Sequence, residues 1–156
     1  MNYYALPLKV DRIITGKKLE TVDIQTSVQQ NIRLILKTMP LEYAYDAMFG
    51  SVLNKFQYAT PPQKAGQLLW RNGLRESIRK NLKFLLEEYE PRLKIEDVLV
   101  NLSEPIQNAK EAIVLVKVTI KGELALGRKE IFHFPDSQID SEAKSVFPLM
   151  IPIGNK

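Results

Sequence analysis

Apolar positions along the chain recur with two different periods. From about Ser27 to Thr38 they return every three or four residues, and Ile24 extends the same face upstream. A second helical stripe is made by Leu74, Ile78, Leu82, Leu85 and Tyr89. Beyond residue 92 apolar and polar residues alternate, which predicts strands. Helices followed by strands predict an α+β fold, with N-terminal helices packed on a small, mostly antiparallel sheet that ends in a C-terminal hairpin.

The predicted helices have start and stop signals. Gln29 stands three residues after Thr26, a capping-box pattern, and Met39-Pro40 ends the first helix. Thr60-Pro61-Pro62-Gln63 combines a hydroxyl cap with proline at the first helical position, so it predicts the start of the next helix. Asn72-Gly73 interrupts the pattern that follows.

Three runs are predicted to be strands: Leu93 to Leu102, Ala112 to Leu124 and Lys129 to Phe134. The turn Leu126-Gly127-Arg128 would join the last two as an antiparallel hairpin. Leu6 to Val10 also alternates, which suits a short edge strand or an arm.

The apolar tail from Phe147 to Ile153 contains prolines, so it cannot be a regular central strand. It packs either on its own domain or on a neighbour. We expect one domain over residues 1–156, with an N-terminal arm (1–22), a core (23–134) and a C-terminal tail (135–156).

The amino-acid composition limits the kinds of functional site that the chain could contain. The chain has 156 residues, 45% of them hydrophobic, which is enough for one core. It has no cysteine and one histidine, His133, so thiolate metal sites and a Ser-His-Asp relay are not expected. We predict no catalytic residue, metal or cofactor. Without an apolar run of bilayer length or a leader pattern, the chain is expected in the cytoplasm.

The junction Glu90-Pro91-Arg92 lies where the best-patterned helix gives way to the first strand. Pro91 must end the helix, because proline lacks the amide that a helix interior needs. Arg92 either hydrogen-bonds groups of its own subunit, Glu90 among them, or reaches another chain as a five-donor fork.

A basic stripe recurs every four residues along the same helix: Arg71, Arg75, Arg79 and Lys83. Solvated surface is the ordinary interpretation, and an acidic protein partner is the second. The net charge of +4 makes nucleic acid a third, weakened because no aromatic residues interleave with the stripe.

The order of these landmarks resembles the GPW family of baseplate wedge proteins from contractile phage tails and their relatives in type VI secretion systems, usually called TssE. The resemblance covers roughly Ile24 to Phe134. It depends on the helix containing residues 31–36, on Phe49-Gly50 and on Glu90-Pro91-Arg92 followed by the strands. One departure is Leu41, since members often carry glycine just before the glutamate that is Glu42 here. The arm and tail look more like the Bacteroidota form.

The resemblance implies a non-catalytic adaptor that links wedge subunits (TssF-, TssG- and TssK-like) to the first ring of the sheath, in a baseplate at the cytoplasmic side of the inner membrane. Glu90, Pro91 and Arg92 would face wedge subunits. The hairpin of Ala112–Leu124 and Lys129–Phe134 would offer an edge for strand addition by the sheath.

Two alternatives stay open. Lysozyme labels have been attached to this family, and Glu42 with Asp46 could supply the two carboxylates of a peptidoglycan hydrolase. A basic nucleic-acid-binding module is the other. A cleft holding two carboxylates against apolar walls would favour the enzyme.

Overall fold

The computed structural model describes residues 3–56, 67–104, 106–107, 111–125, 130–135 and 146–152. Its helices are α1 (Val10–Ile14), α2 (Ile24–Lys37) and α3 (Gln67–Tyr89), with a 3₁₀ turn at Val52–Phe56. Its strands are β1 (Tyr3–Tyr4), β2 (Thr21–Val22), β3 (Leu93–Leu102), β4 (Ile106–Gln107), β5 (Glu111–Leu124), β6 (Ile131–Phe134) and β7 (Val146–Pro152). The α+β prediction is confirmed.

The main sheet is antiparallel and has β5 at its centre. β3 and then β4 pair with one edge of β5, while β6 and β7 pair with the other edge, end to end. Within the described residues, therefore, β5 has neighbours on both sides over most of its length. This corrects the expectation that Ala112–Leu124 itself offers an edge, since a central strand has already used its backbone groups.

The core lies between the helices and one face of this sheet. It contains the buried side of α2, the Leu74 to Leu86 stripe of α3 and alternate residues of β3, β5 and β6. The fully buried large residues include Ile32, Ile35, Ile78, Leu82, Phe132 and Phe134. His133, between the two phenylalanines, is exposed, as the alternation predicts.

Three boundaries differ from the sequence prediction. The N-cap of α2 is Asp23, whose carboxylate accepts a hydrogen bond from the Thr26 amide at 2.7 Å, so Thr26 lies inside the helix. Helix α3 continues through Gly73 without a break. Val10 begins a short helix, where a short edge strand or an arm was expected.

The tail packs on its own domain: β7 pairs with Glu111–Lys117 of β5. The predicted helix start at residues 60–63 and the turn at residues 126–128 lie outside the described residues. β6 pairs antiparallel with β5 as the hairpin prediction requires.

Candidate partner-binding site

The end of α3 forms an ion pair that is closed within the subunit. Glu90 is fully buried, and its two carboxylate oxygens accept hydrogen bonds from Nε and Nη2 of Arg92 at 2.7 and 2.6 Å. Pro91 stands between them in an exposed turn. The fork geometry lets one carboxylate bind one guanidinium at two points, which fixes the orientation of both side chains.

Two residues of α2 complete this arrangement. Asn31 Nδ2 donates to Glu90 Oε2 at 2.9 Å and to the Tyr89 carbonyl at 3.1 Å, and Ser27 Oγ accepts from Arg92 Nη1 at 3.0 Å. We call the four residues Ser27, Asn31, Glu90 and Arg92 the clasp. The clasp joins the end of α3 to α2, so it serves the fold directly.

One face of the clasp still reaches the surface. The Arg92 side chain keeps 23% of its exposure, and the Tyr3 ring of the arm stacks against it with 5.1 Å between guanidinium carbon and ring centroid. The hydrogen bonds that Arg92 donates to Glu90 raise the pKa of Arg92 above its ordinary value. A charged, oriented guanidinium is therefore held at the edge of the subunit beneath an aromatic ring.

The basic stripe divides into two parts. Arg71 donates to the Leu102 and Ser103 carbonyls at 3.0 and 2.9 Å and pairs with Glu104 at 2.7 Å. Arg75 is half-buried, and among the described residues its Nε has no hydrogen-bond acceptor. The side chains of Arg71 and Arg75 are therefore partly covered by their own subunit. Arg71 lies at the opposite end of α3 from the clasp, roughly 27 Å away at 1.5 Å per residue.

The outer half of the stripe is exposed. Arg79 pairs with Glu76 at 3.3 Å and Lys83 with Glu87 at 3.8 Å along the same helix. Exposed pairs of this spacing are weak, so both cations can exchange their partners.

Sequence reasoning missed a second surface, the segment Met39–Phe49, which we call the aromatic loop. Its rings form a ladder: Tyr45 to Tyr43 at 5.8 Å, Tyr43 to Phe49 at 5.7 Å, and Phe49 to Tyr89 of α3 at 5.1 Å between centroids. Phe49 packs against the core, as predicted, while Tyr45 is 91% exposed. The available signal was the Tyr43-Ala44-Tyr45 run, which nothing in the helical pattern explains.

Backbone hydrogen bonds close the aromatic loop on itself. The Leu41 amide donates to the Ala47 carbonyl at 3.1 Å, and the Met39 amide donates to Glu42 Oε2 at 2.8 Å. Leu41 has a φ of 73°, a left-handed conformation that costs energy for any residue with a side chain. Leu41 is also the departure from the family pattern described above, at a position where members often carry glycine.

Gly50 ends the loop in a conformation that only glycine tolerates. Its φ is 118°, and an added Cβ would lie 2.7 Å from the Thr38 carbonyl oxygen. Gly50 makes a close backbone approach, because backbone atoms at the end of α2 occupy the space a side chain would need.

A side-chain bond ties the aromatic loop to α3. Tyr89 donates its hydroxyl to Asp46 Oδ2 at 2.7 Å. This bond raises the pKa of Tyr89 to about 12, with burial and the charges of Asp46 and Glu88 adding to it. The same bond, with the Met48 amide, lowers the pKa of Asp46.

β3 has an outer edge that no described strand covers. The Ser103 amide donates to the Leu115 carbonyl at 2.9 Å, which identifies the residue pairs whose backbone groups face β5. Alternate positions therefore direct their amides and carbonyls outward: Val98, Val100 and Leu102. Arg71 takes the Leu102 carbonyl, so it closes one end of this edge.

The carboxylates suggested for hydrolysis do not form an acid and base pair. Glu42 accepts from a loop amide, and Asp46 has a lowered pKa, whereas a general acid needs a raised one. The concavity under the arm, lined by Pro7 and Leu8 among others, holds only about 10 Å³. In the part of the chain described here, no cluster of His, Asp or Glu could hold a metal ion.

The described helices also include none that is long and apolar enough to cross a membrane. An exposed aromatic loop and a strand edge that no described strand covers are features typical of proteins that bind other proteins.

Comparison with known families identifies that class more closely. Residues 22–125 match the family of baseplate wedge protein gp25. The match covers more than half of the chain, so this protein belongs to the GPW_gp25 family and is a baseplate component. The resemblance drawn from the sequence is confirmed. No curated protein sequence matches the chain.

Two solved structures are similar to the fold. The baseplate of the anti-feeding prophage contains a chain with 16% identity and a TM-score of 0.52, over 82% of this chain and 88% of that one. A protein from Geobacter sulfurreducens that carries the name of a tail lysozyme has 15% identity and a TM-score of 0.45, over 89% of this chain and 97% of that one.

Proposed function

We propose that this protein is a non-catalytic adaptor that joins wedge subunits to the first ring of the sheath in a contractile injection machine. A type VI secretion system is the kind of machine we favour, in which the protein acts as the TssE-like component in the cytoplasm. Its role would be to keep the wedge subunits and the sheath in a fixed relative position. A rearrangement of the baseplate would then be transmitted to the sheath, because the adaptor is rigid.

The observation that carries this proposal is the outer edge of β3. Val98 and Val100 direct backbone groups outward from an ordered strand, at an edge that no described strand covers, and their side chains are buried in the core. An incoming sheath strand would gain affinity and register from backbone pairing alone. The opposite edge is a poorer candidate because β6 is short and β7 contains Pro148 and Pro152, which lack amides.

The clasp supports a second contact, with wedge subunits. Glu90 holds Arg92 at two points, and Pro91 exposes the turn beside it, so the remaining guanidinium surface has a fixed direction. An acidic wedge partner would also find Arg79 and Lys83, whose local pairs are exposed. Arg71 and Arg75 would act indirectly, by holding α3 on the sheet.

Amide hydrogen exchange tests the edge. In the free protein the outward amides of Val98 and Val100 should exchange quickly, whereas those of Leu99 and Asn101, which face β5, should be protected. After addition of purified sheath protein of the same machine, Val98 and Val100 should become protected. Protection that appears on β6 or β7 instead would move the docking site to the other edge, and protection at neither would overturn strand addition.

The wedge contact is tested by retention of Arg92→Lys on purified wedge subunits. Lysine keeps the charge but not the fork, so we expect at least tenfold weaker retention than for the wild type. Protection of the Leu99 and Asn101 amides, which face β5, reports whether the fold is intact. Arg12→Lys, at a partly exposed arginine of the arm that is not assigned to the contact, is the matched control. Wild-type retention of a correctly folded Arg92→Lys protein would remove Arg92 from the interface.

A further inference from the structure

The aromatic loop exposes five large apolar side chains within eleven residues. Tyr45 is 91% exposed, Leu41 76%, Met48 63% and Tyr43 50%. Side chains of this kind, gathered in one segment, mark a site of protein interaction more often than a solvated surface. Tyrosine in particular supplies a large contact area at a low cost in side-chain entropy.

The loop is also ordered before any partner arrives. Besides the bonds of Leu41 and Met39, the Asp46 amide donates to the Tyr43 carbonyl at 3.2 Å, and the Phe49 amide donates to the Asp46 carbonyl at 3.2 Å. The Tyr89 hydroxyl also donates a hydrogen bond to the carboxylate of Asp46. A partner that binds such a loop pays little to order it, because the backbone conformation is already fixed.

The charge of the loop is opposite to that of the chain. Residues 39–49 include Glu42 and Asp46 but no lysine or arginine, whereas the whole chain has a net charge of +4. Glu88 lies close enough to raise the pKa of Tyr89. Aromatic faces bordered by carboxylates attract cations both through the ring electrons and through the negative charge.

We propose that the aromatic loop is a docking site for a cationic amphipathic segment of a partner protein. Aliphatic side chains of that segment would pack between Tyr43, Tyr45 and Met48, and its lysines or arginines would reach Glu42 and Asp46. The strained Leu41 fits this role, because a side chain held in solvent at an energetic cost contributes nothing to the core. This site is separate from the β3 edge and the clasp, and it is tested without sheath or wedge proteins.

The test uses methionine methyl groups as reporters. The chain has four methionines, Met1, Met39, Met48 and Met150, two of which lie in the loop. The probes are two synthetic amphipathic peptides of about 18 residues, roughly five helical turns. One is built of leucine and lysine, and the other of leucine and glutamate. We expect the lysine peptide to shift the Met39 and Met48 signals, and the glutamate peptide to leave them unchanged.

Two variants and a control test which side chains of the loop bind the lysine peptide. Tyr45→Ala should weaken binding of the lysine peptide about tenfold, as the loss of a central tyrosine contact does. Glu42→Gln keeps the oxygen that accepts from the Met39 amide but removes the charge, so it should weaken binding about threefold and reduce the dependence on salt. Tyr4→Ala, an exposed tyrosine of the arm, should bind as the wild type does.

Some results would contradict the proposal or show that the loop binds something other than a cationic segment. Equal binding of both peptides, or shifts of Met1 and Met150 alone, would overturn the proposal. So would loss of the loop signals on phosphatidylcholine vesicles without peptide, which would make the surface a lipid contact. Concentration-dependent dimerisation abolished by Tyr45→Ala would assign the loop to a second copy of this chain.

Discussion

Leu41 is the residue at which the backbone and the side chain have opposite requirements. Its φ of 73° favours glycine, yet its leucine side chain is exposed. We expect Leu41→Gly to raise the free energy of unfolding by about 1 kcal/mol in urea denaturation, since relief of strain exceeds the entropy that glycine adds to the unfolded chain. A loss of stability would mean that the leucine makes contacts in the loop that exceed its strain.

Tyr89 is expected to titrate apart from the other tyrosines. Its pKa is raised to about 12, so the Asp46 bond stabilises the fold fully below pH 10, and this contribution is lost as the pH rises through 12. The pKa of Asp46 is lowered, so its contribution is lost when acid protonates it below its usual range. Ultraviolet titration should show a tyrosine transition near pH 12 in the wild type.

The matched variant is Asp46→Asn, which should return that tyrosine to the main transition. Persistence of the late titration in this variant would assign the shift to burial instead of the hydrogen bond.

The two sides of the clasp are not equivalent. Arg92→Met would leave the carboxylate of Glu90 fully buried without its cation, whereas Glu90→Gln leaves a guanidinium with 23% of its surface in water. We therefore expect Arg92→Met to cost about 3 kcal/mol and Glu90→Gln roughly half of that. Thermal unfolding of both variants checks the order. The reverse order would mean that the carboxylate is better solvated than its burial indicates.

At the scale of elements, two glycines should respond in opposite directions. Gly73 lies within α3, and nothing lies within 4 Å of the position a Cβ would take. Gly73→Ala should therefore stabilise the protein by about 0.5 to 1 kcal/mol, because alanine is the better helix former. Gly50→Ala should destabilise it by more than that, since the new carbon meets the end of α2. Chemical denaturation of the pair gives the comparison, and a destabilising Gly73→Ala would contradict an open helix surface.

The elements that were predicted well are those with local causes. β3 has the predicted ends, and the α3 stripe is buried as its spacing requires, because periodicity and Pro91 act within a few residues. The resemblance predicted the family and drew attention to the clasp residues. It did not reveal that Glu90 is buried against Asn31, 59 positions away in sequence, because that contact depends on how α2 packs on α3.

Long-range pairing accounts for the remaining differences. The central position of β5 depends on β6 and β7 returning to its second edge, which no local pattern encodes. The rigidity of the aromatic loop depends in part on the bond between Asp46 and Tyr89, which lie 43 positions apart, so no local pattern distinguishes the loop from an ordinary connection.

At the scale of the whole molecule, the arm is expected to be dispensable for folding. Helix α1 has no buried residue, and the arm contacts the clasp through Tyr3 and α2 through a Leu6 amide bond to Gln30 at 2.9 Å. Removal of residues 1–22 retains the Asp23 cap, so the melting temperature should fall by only a few degrees. Calorimetry measures this, and a loss of cooperative unfolding would make the arm part of the core.

The closure of the aromatic loop by its own backbone has a consequence for engineering. The side chains at its outward positions 41, 45 and 48 make none of the described hydrogen bonds that hold the loop shut. A different set of side chains can therefore be grafted there while α2, Gly50 and α3 keep the segment in place. Such exchanges offer a route to attach foreign cargo to a baseplate component without altering its fold.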